Sequence, residues 1–140
     1  MIVNFNLDKI IVERKKDAIG EINIKKHVRI KDVEEKDLST IAEKQKALNF
    51  KFEFTITYEP GIANIEIIGN ILYLNDADKL KEIMNKWKKE KKIDQALSAI
   101  LMNRLLTKCD IKALALSQDL NLPPSVPLPI IARKEHIKKA

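Results

Sequence analysis

The only imidazoles in the chain are His27 and His136, and the only thiol is Cys109. Their chemistry would be metal ligation or thiolate catalysis, and both need more groups than these. A zinc site takes four ligands at characteristic spacings, and three scattered residues do not supply them. Cys109 falls on the apolar side of a predicted helix, where a small buried core residue is the better reading than a nucleophile. The three glycines, Gly20, Gly61 and Gly69, are too far apart to make a phosphate-cradling loop, so nucleotide hydrolysis is not expected. Glu34 and Glu35 lie in a charged run, and Asp76 and Asp78 sit where a helix begins, so solvation and capping account for them without acid–base work. No catalytic constellation emerges. The expectation is a protein that is not an enzyme and takes neither metal nor cofactor.

Binding chemistry is better represented. The net charge of +6 is spread unevenly: residues 1–75 carry 12 basic and 12 acidic side chains, and residues 76–140 carry 14 and 8. The excess gathers in Lys79, Lys81, Lys86, Lys88, Lys89, Lys91 and Lys92, and in the tail Arg133-Lys134-Glu135-His136-Ile137-Lys138-Lys139. Each is an anion-facing surface in the making, able to meet phosphates. The plainer alternative is a solvated helix face in a chain whose 22 Lys against 4 Arg reflect genome composition or growth temperature. Phe50, Phe52 and Phe54 have the residue type of a base-stacking platform. They share one strand face with Leu48 and Ile56, however, which makes them core under the helices. Trp87 reads the same way, as the largest residue of a helical stripe, with a ligand contact as the alternative.

These residues need elements to position them. Val3, Phe5 and Leu7 alternate with Asn4, Asn6 and Asp8, the period of a half-buried strand; Ile10 and Val12 continue in the opposite parity, which predicts a bulge near Asp8-Lys9. Ile22, Ile24, Val28 and Ile30 predict a second, more charged strand after Gly20. From Asp32 to Gln45 no β pattern persists, and Leu38, Ile41 and Ala42 fit a helical turn or a loop, so this stretch is left irregular. Leu48 to Tyr58 is the clearest strand. Glu59-Pro60-Gly61 predicts a turn into a return strand, Ile62 to Leu74, apolar on both faces. Asn75 or Asp76 caps a helix whose stripe is Leu80, Ile83, Met84 and Trp87. Asp94 caps a longer one, Gln95 to about Ser117, with Leu97, Ile100, Leu101 and Leu105 on its stripe. Ala96, Met102, Leu106, Leu114 and Leu116 widen that stripe beyond what a small sheet covers, which points to a second protomer. Four prolines between Asp119 and Ala132 then enforce an extended apolar strap.

This is an α+β pattern in one domain spanning 1–140: strands over about 2–75, helices over about 76–117, strap over 119–132 and basic tail over 133–140. A length of 140 residues is one domain's worth. One Cys leaves no internal disulfide framework, the first residues lack the pattern of a signal peptide, and no apolar run reaches the roughly 20 residues of a spanning helix. A cytoplasmic location without membrane insertion is expected.

The order of elements resembles the SecB export-chaperone family. The residues that carry the likeness are Val3-Asn4-Phe5-Asn6-Leu7 with Ile10-Ile11-Val12-Glu13, the hairpin from Phe50 to Tyr58 and on to Ile71-Leu72-Tyr73-Leu74, and Leu120-Asn121-Leu122-Pro123-Pro124 after a long helix. The resemblance implies a four-stranded antiparallel sheet with two C-terminal helices on one face, assembled as dimers or dimers of dimers around the long helices, with Leu97, Leu101 and Leu105 as assembly surface. It also implies an ATP-independent holdase for unfolded or nascent polypeptides. The client contacts would be Ile62, Ile68, Leu72, Leu74, Met84, Trp87, Leu122, Val126, Leu128 and Ile130. The departure is charge: export members dock onto the translocation motor through an acidic sheet surface, whereas this chain is basic, so that docking is not expected. The rival reading is a basic nucleic-acid-binding module using the seven lysines of the first helix. A third is an oligomeric interaction subunit with a dedicated protein partner.

Overall fold

A computed structural model describes residues 1–38 and 45–126. Four strands, β1 (Ile2–Arg14), β2 (Asn23–Asp37), β3 (Lys46–Glu59) and β4 (Ala63–Leu74), precede two helices, α1 (Ala77–Glu90) and α2 (Gln95–Asp119). The strands form one antiparallel sheet in the order β1-β4-β3-β2, with β1 and β2 at the edges.

The period of β3 decides where the core lies. Leu48, Phe50, Phe52, Phe54, Ile56 and Tyr58 all point to the helix side and are fully buried, as are Ile65, Ile67 and Ile71 of β4. Burying each such side chain is worth about 1.5–3 kcal/mol, so this ladder is the main source of stability. Phe52 stacks on Phe5 of β1 with centroids 5.2 Å apart, and Phe50 meets Tyr73 edge-on at 6.1 Å. Gly69 lies beside Phe52 and Leu7 in register. A Cβ there would come 2.7 Å from Phe52 Cζ and would press on the Asn6 carbonyl, so the bare backbone is what lets β1, β4 and the Phe52 ring close up.

Both edge strands carry a register shift, and each explains its sequence pattern. In β1 the shift between Leu7 and Lys9 moves Ile10 and Val12 onto the face of Phe5 and Leu7, as the parity change predicts. In β2 a shift between Ile30 and Asp32 puts Val33 on the face of Ile30, and the strand runs on to Asp37. The stretch read as irregular from Asp32 is therefore strand as far as Asp37; the extra residue broke the alternation that would have revealed it. Ile41 and Ala42 of that reading lie outside the described residues.

The β3–β4 turn has a cis Glu59–Pro60 bond and Gly61 at φ +57°. Ile62 is part of this turn rather than of the return strand: its amide donates to the Tyr58 carbonyl at 2.9 Å, and its carbonyl accepts from Lys15 and Lys16. Asp76 stands at the N-cap of α1 without a side-chain bond, whereas Asp94 Oδ2 accepts from the Leu97 amide at 3.4 Å at the start of α2.

The buried residues of α2 are Leu97, Leu101, Leu105, Cys109, Ala113 and Ser117, a strict four-residue row. Such a row drifts about 40° round the axis per step, so the covered direction turns through about half a revolution along the helix. At its start, Leu97 lines a cavity with Tyr73 and Ile83 of α1; near its end, Asp110 reaches β2, where Lys26 Nζ donates to its Oδ1 at 2.6 Å. Helix α2 thus runs along the central strands, from beside Tyr73 at one end of the sheet to beside Tyr58 at the other. Past it, the Leu122 amide donates to the Ser117 carbonyl at 2.8 Å, and the Tyr58 hydroxyl donates to the Pro123 carbonyl at 2.7 Å. Burial raises the Tyr58 pKa, with the Ser117 hydroxyl as the smaller, opposing influence.

Candidate functional site

Several residues expected at the surface are core. Leu97, Leu101 and Leu105 are buried against the sheet and α1 of their own chain, so the sheet does cover that row and no second protomer is required for it. Ile62 is buried in the turn and Leu122 under the start of the strap, while Trp87 is buried beneath α1, as its reading as the largest residue of the helix stripe expects and its reading as a client contact does not. The correction for the α2 row has a physical cause. A stripe that looks too wide for one sheet is accommodated because the row winds around α2 and different neighbours cover its two ends.

The other expected contacts divide. Ile68, Leu72 and Leu74 are half-buried on the helix-free face of the sheet, in the central strand β4. Met84 is half-buried on α1 and Val126 half-buried in the strap. Leu128 and Ile130 lie outside the described residues. No single surface unites Ile68, Leu72 and Leu74 with Met84 and Val126, because sheet and helices separate them.

The lysines of α1 are exposed, as expected of an anion-facing surface, but local roles account for several. Lys88 and Lys89 occupy the last turn, where cations complement the helix dipole. Lys91 adopts φ +55° at the C-cap, with its ammonium 5.4 Å over the Trp87 ring. Lys79 approaches Glu82 at 3.9 Å. That leaves Lys81, Lys86 and Lys92 with no such role.

What sequence reasoning missed lies between β1 and α2. Leu7 and Ile10 are on the helix-side face of β1, yet 38% and 39% exposed, because α2 runs over the middle of the sheet and stops short of this edge. Val3 is 42% exposed on the same strand. A cleft of about 290 Å³ separates Phe5 and Leu7 of β1 from Lys108, Ile111 and Lys112 of α2, of which Ile111 is 66% exposed. Apolar floor, cationic wall and open strand edge come together here. The signal was present in the sequence: Arg104, Lys108 and Lys112 repeat at the same four-residue spacing as the buried row and therefore lie along one flank of it.

Cys109 is buried in the row, and burial, with Asp110 contributing less, pushes its thiol up to about 12, which makes it inert as a nucleophile. Among the described residues no group of three His, Cys, Asp or Glu side chains could hold a metal ion, and no helix is long and apolar enough to cross a membrane.

No protein-family model and no curated protein matches the chain. A solved structure does: the SecB-like chaperone Rv1957 of Mycobacterium tuberculosis, in complex with a ChAD peptide from the Rv1956 HigA1 antitoxin. The match has a TM-score of 0.54 and covers 95% of this chain and 91% of that one, at 11% identity. The fold is SecB-like. At that identity the likeness reaches the arrangement of four antiparallel strands and two helices, and no further.

Proposed function

We propose that this SecB-like chain is an ATP-independent chaperone that holds unfolded or nascent polypeptides. The observation that carries the reading is the open β1 edge, where Val3, Leu7 and Ile10 stand exposed and Leu7 borders a cleft. An unfolded client offers apolar side chains and unpaired amides, and an apolar groove along a strand edge meets both without sequence specificity. The peptide bound by the SecB-like neighbour supports the same reading. Assembly into a homo-oligomer is part of the proposal, but with the Leu97 row in the core it falls to other surfaces, of which Ile100 and Ile111 are the exposed apolar residues of α2. Light scattering measures it.

The test is fluorescence anisotropy of a labelled, permanently unfolded polypeptide at low and high salt. Apolar contacts persist or strengthen with salt, so binding is expected to hold. The exposed Lys81, Lys86 and Lys92 favour a nucleic-acid reading as the second one. For that, binding of single-stranded RNA would fall steeply between low and moderate salt through counterion uptake, and unfolded polypeptide would not bind.

A further inference from the structure

We infer that the outer flank of α1 docks the chain onto the phosphates of double-helical RNA, on a face separate from the one that holds clients. The inference rests on the holdase reading in one respect, the choice of RNA over DNA: nascent polypeptides emerge from a particle whose surface is largely folded RNA.

Three features of α1 converge on it. First, its two flanks differ. Lys79, Glu82, Ile83 and Lys86 line the cavity shared with α2, so that flank is turned inward. The spacing i, i+4, i+7 puts Lys81, Asn85 and Lys88 together on the other flank, and all three are exposed, as are Lys89 and, just past the C-cap, Lys92. Second, the lysines of this outer flank are uncompensated. None of Lys81, Lys88, Lys89 and Lys92 is in an ion pair among the described residues. The carboxylates of the helix have other places: Asp78 is in the first turn, where it answers the helix dipole, Glu82 approaches Lys79, and Glu90 follows Lys86 by four residues on the inward flank. Third, the outer flank has no apolar or aromatic side chain. Leu80 and Trp87 are buried, and Ile83 and Met84 are half-buried.

The third feature selects the partner. Single-stranded nucleic acid is gripped by aromatic side chains on which its bases stack, and a helix lying on a membrane needs an apolar face to sink among the headgroups. A ridge of ammonium groups around one amide has neither, and meets its partner through phosphates alone. An RNA stem keeps its bases paired and presents phosphates and 2′-hydroxyls across a wide, shallow minor groove. Lys81 and Lys88 are about 10 Å apart along the helix axis, far enough to reach separate phosphates, and the Asn85 amide between them can both donate to and accept from a hydroxyl. A second copy of the chain is a poor occupant, because a two-fold interface sets these lysines against like charge. Helix α1 packs on β2 and β3, away from the β1 edge, so RNA and client need not compete.

The experiment follows the anisotropy of a fluorescein-labelled RNA stem of about 20 base pairs titrated with the full chain from about 50 to 200 mM salt. Four phosphate contacts give a slope of log affinity against log salt of about −3 to −4, a loss of about a hundredfold over that range. The K81Q/K88Q/K92Q variant is expected to bind at least tenfold more weakly at the low end with a slope shallower by about 3, whereas R104Q/K108Q/K112Q, which removes as much charge from α2, keeps the parent slope. All six substitutions are at exposed positions and Gln is a good helix former, and circular dichroism confirms that both variants fold. An unfolded polypeptide is expected to bind the ridge variant as it binds the parent, and not to displace the stem. No binding of the stem, or equal losses from the two variants, overturns the inference while leaving a holdase in place. Single-stranded RNA, a DNA duplex, polyglutamate or anionic vesicles held as tightly as the stem overturn the choice of partner. An oligomer that the ridge variant dissociates makes the flank an assembly surface, and the inference fails. If the stem binds at the ridge and no unfolded polypeptide binds anywhere, the docking stands and the holdase reading falls.

Discussion

The two edges of the sheet solve the same problem in opposite ways. An edge strand exposes unpaired amides and carbonyls, and proteins usually blunt it with charge, bulges or cover. The β2 edge follows that practice: five of the six ion pairs among the described residues involve one of its side chains, including Arg29 and Lys31, which share Glu53, and Lys26, which ties the strand to α2. The β1 edge has two register shifts and bears Asp8, Lys9, Glu13 and Arg14, but none of these is in an ion pair among the described residues, and Val3, Leu7 and Ile10 stand exposed between them. A fold that ties one edge down with ion pairs and leaves apolar side chains exposed on the other has one edge better suited to a partner.

The largest expected effect is on how β1 is held at all. Gly69→Ala drives a methyl into the Phe52 ring and the β1 backbone and is expected to cost about 3 kcal/mol, the upper end for overpacking, read as a lower urea midpoint. Next is the difference between the edges. Leu7→Lys with Ile10→Lys is expected to weaken binding of unfolded polypeptide at least tenfold, about 1.4 kcal/mol, with little change in stability. Lys25→Ser with Arg29→Ser on β2 is expected to leave binding unchanged; equal losses from both pairs would erase the comparison. Tyr58→Phe removes the bond to Pro123 and is expected to cost about 1 kcal/mol. In the parent chain the raised Tyr58 pKa gives a matching pH signature. Above about pH 10 the unfolded chain releases a phenol proton that the folded chain keeps, so stability falls with rising pH and spectrophotometric titration finds one delayed tyrosine. The smallest effect is at β2, where Glu53→Gln weakens two surface pairs and is expected to cost no more than about 0.5–1 kcal/mol. Trp87 serves as a control: buried under α1 and away from the cleft, its emission is expected not to shift when peptide binds.

Most of the fold was legible because period and burial agreed in β3, where six alternating apolar residues fix a face, and at Asp94, where the cap marks the start of α2 within a residue. Legibility ended where one extra residue intervened. The parity change at Asp8-Lys9 left apolar residues on both sides of the bulge and was readable; the equivalent shift at Lys31 passed into Asp32, Glu34 and Glu35, with Val33 alone to signal the buried face, and hid half of β2. The site was harder. Trp87, Leu101 and Leu105 look the same in a sequence whether a helix stripe meets its own sheet or a neighbour. Conversely, Leu7 and Ile10 have ordinary core spacing, and only the path of α2 across the sheet leaves them uncovered.

The sheet is complete at Leu74, yet the helix that covers its aromatic face is not finished until Asp119. At about 5–20 residues per second, a ribosome needs roughly 2–9 s to make the intervening segment. Throughout that interval Phe50, Phe52 and Phe54 have no roof, and the newborn chain presents the kind of surface that mature copies are proposed to shelter. Its own synthesis is therefore a natural occasion for it to serve as guest before it serves as host.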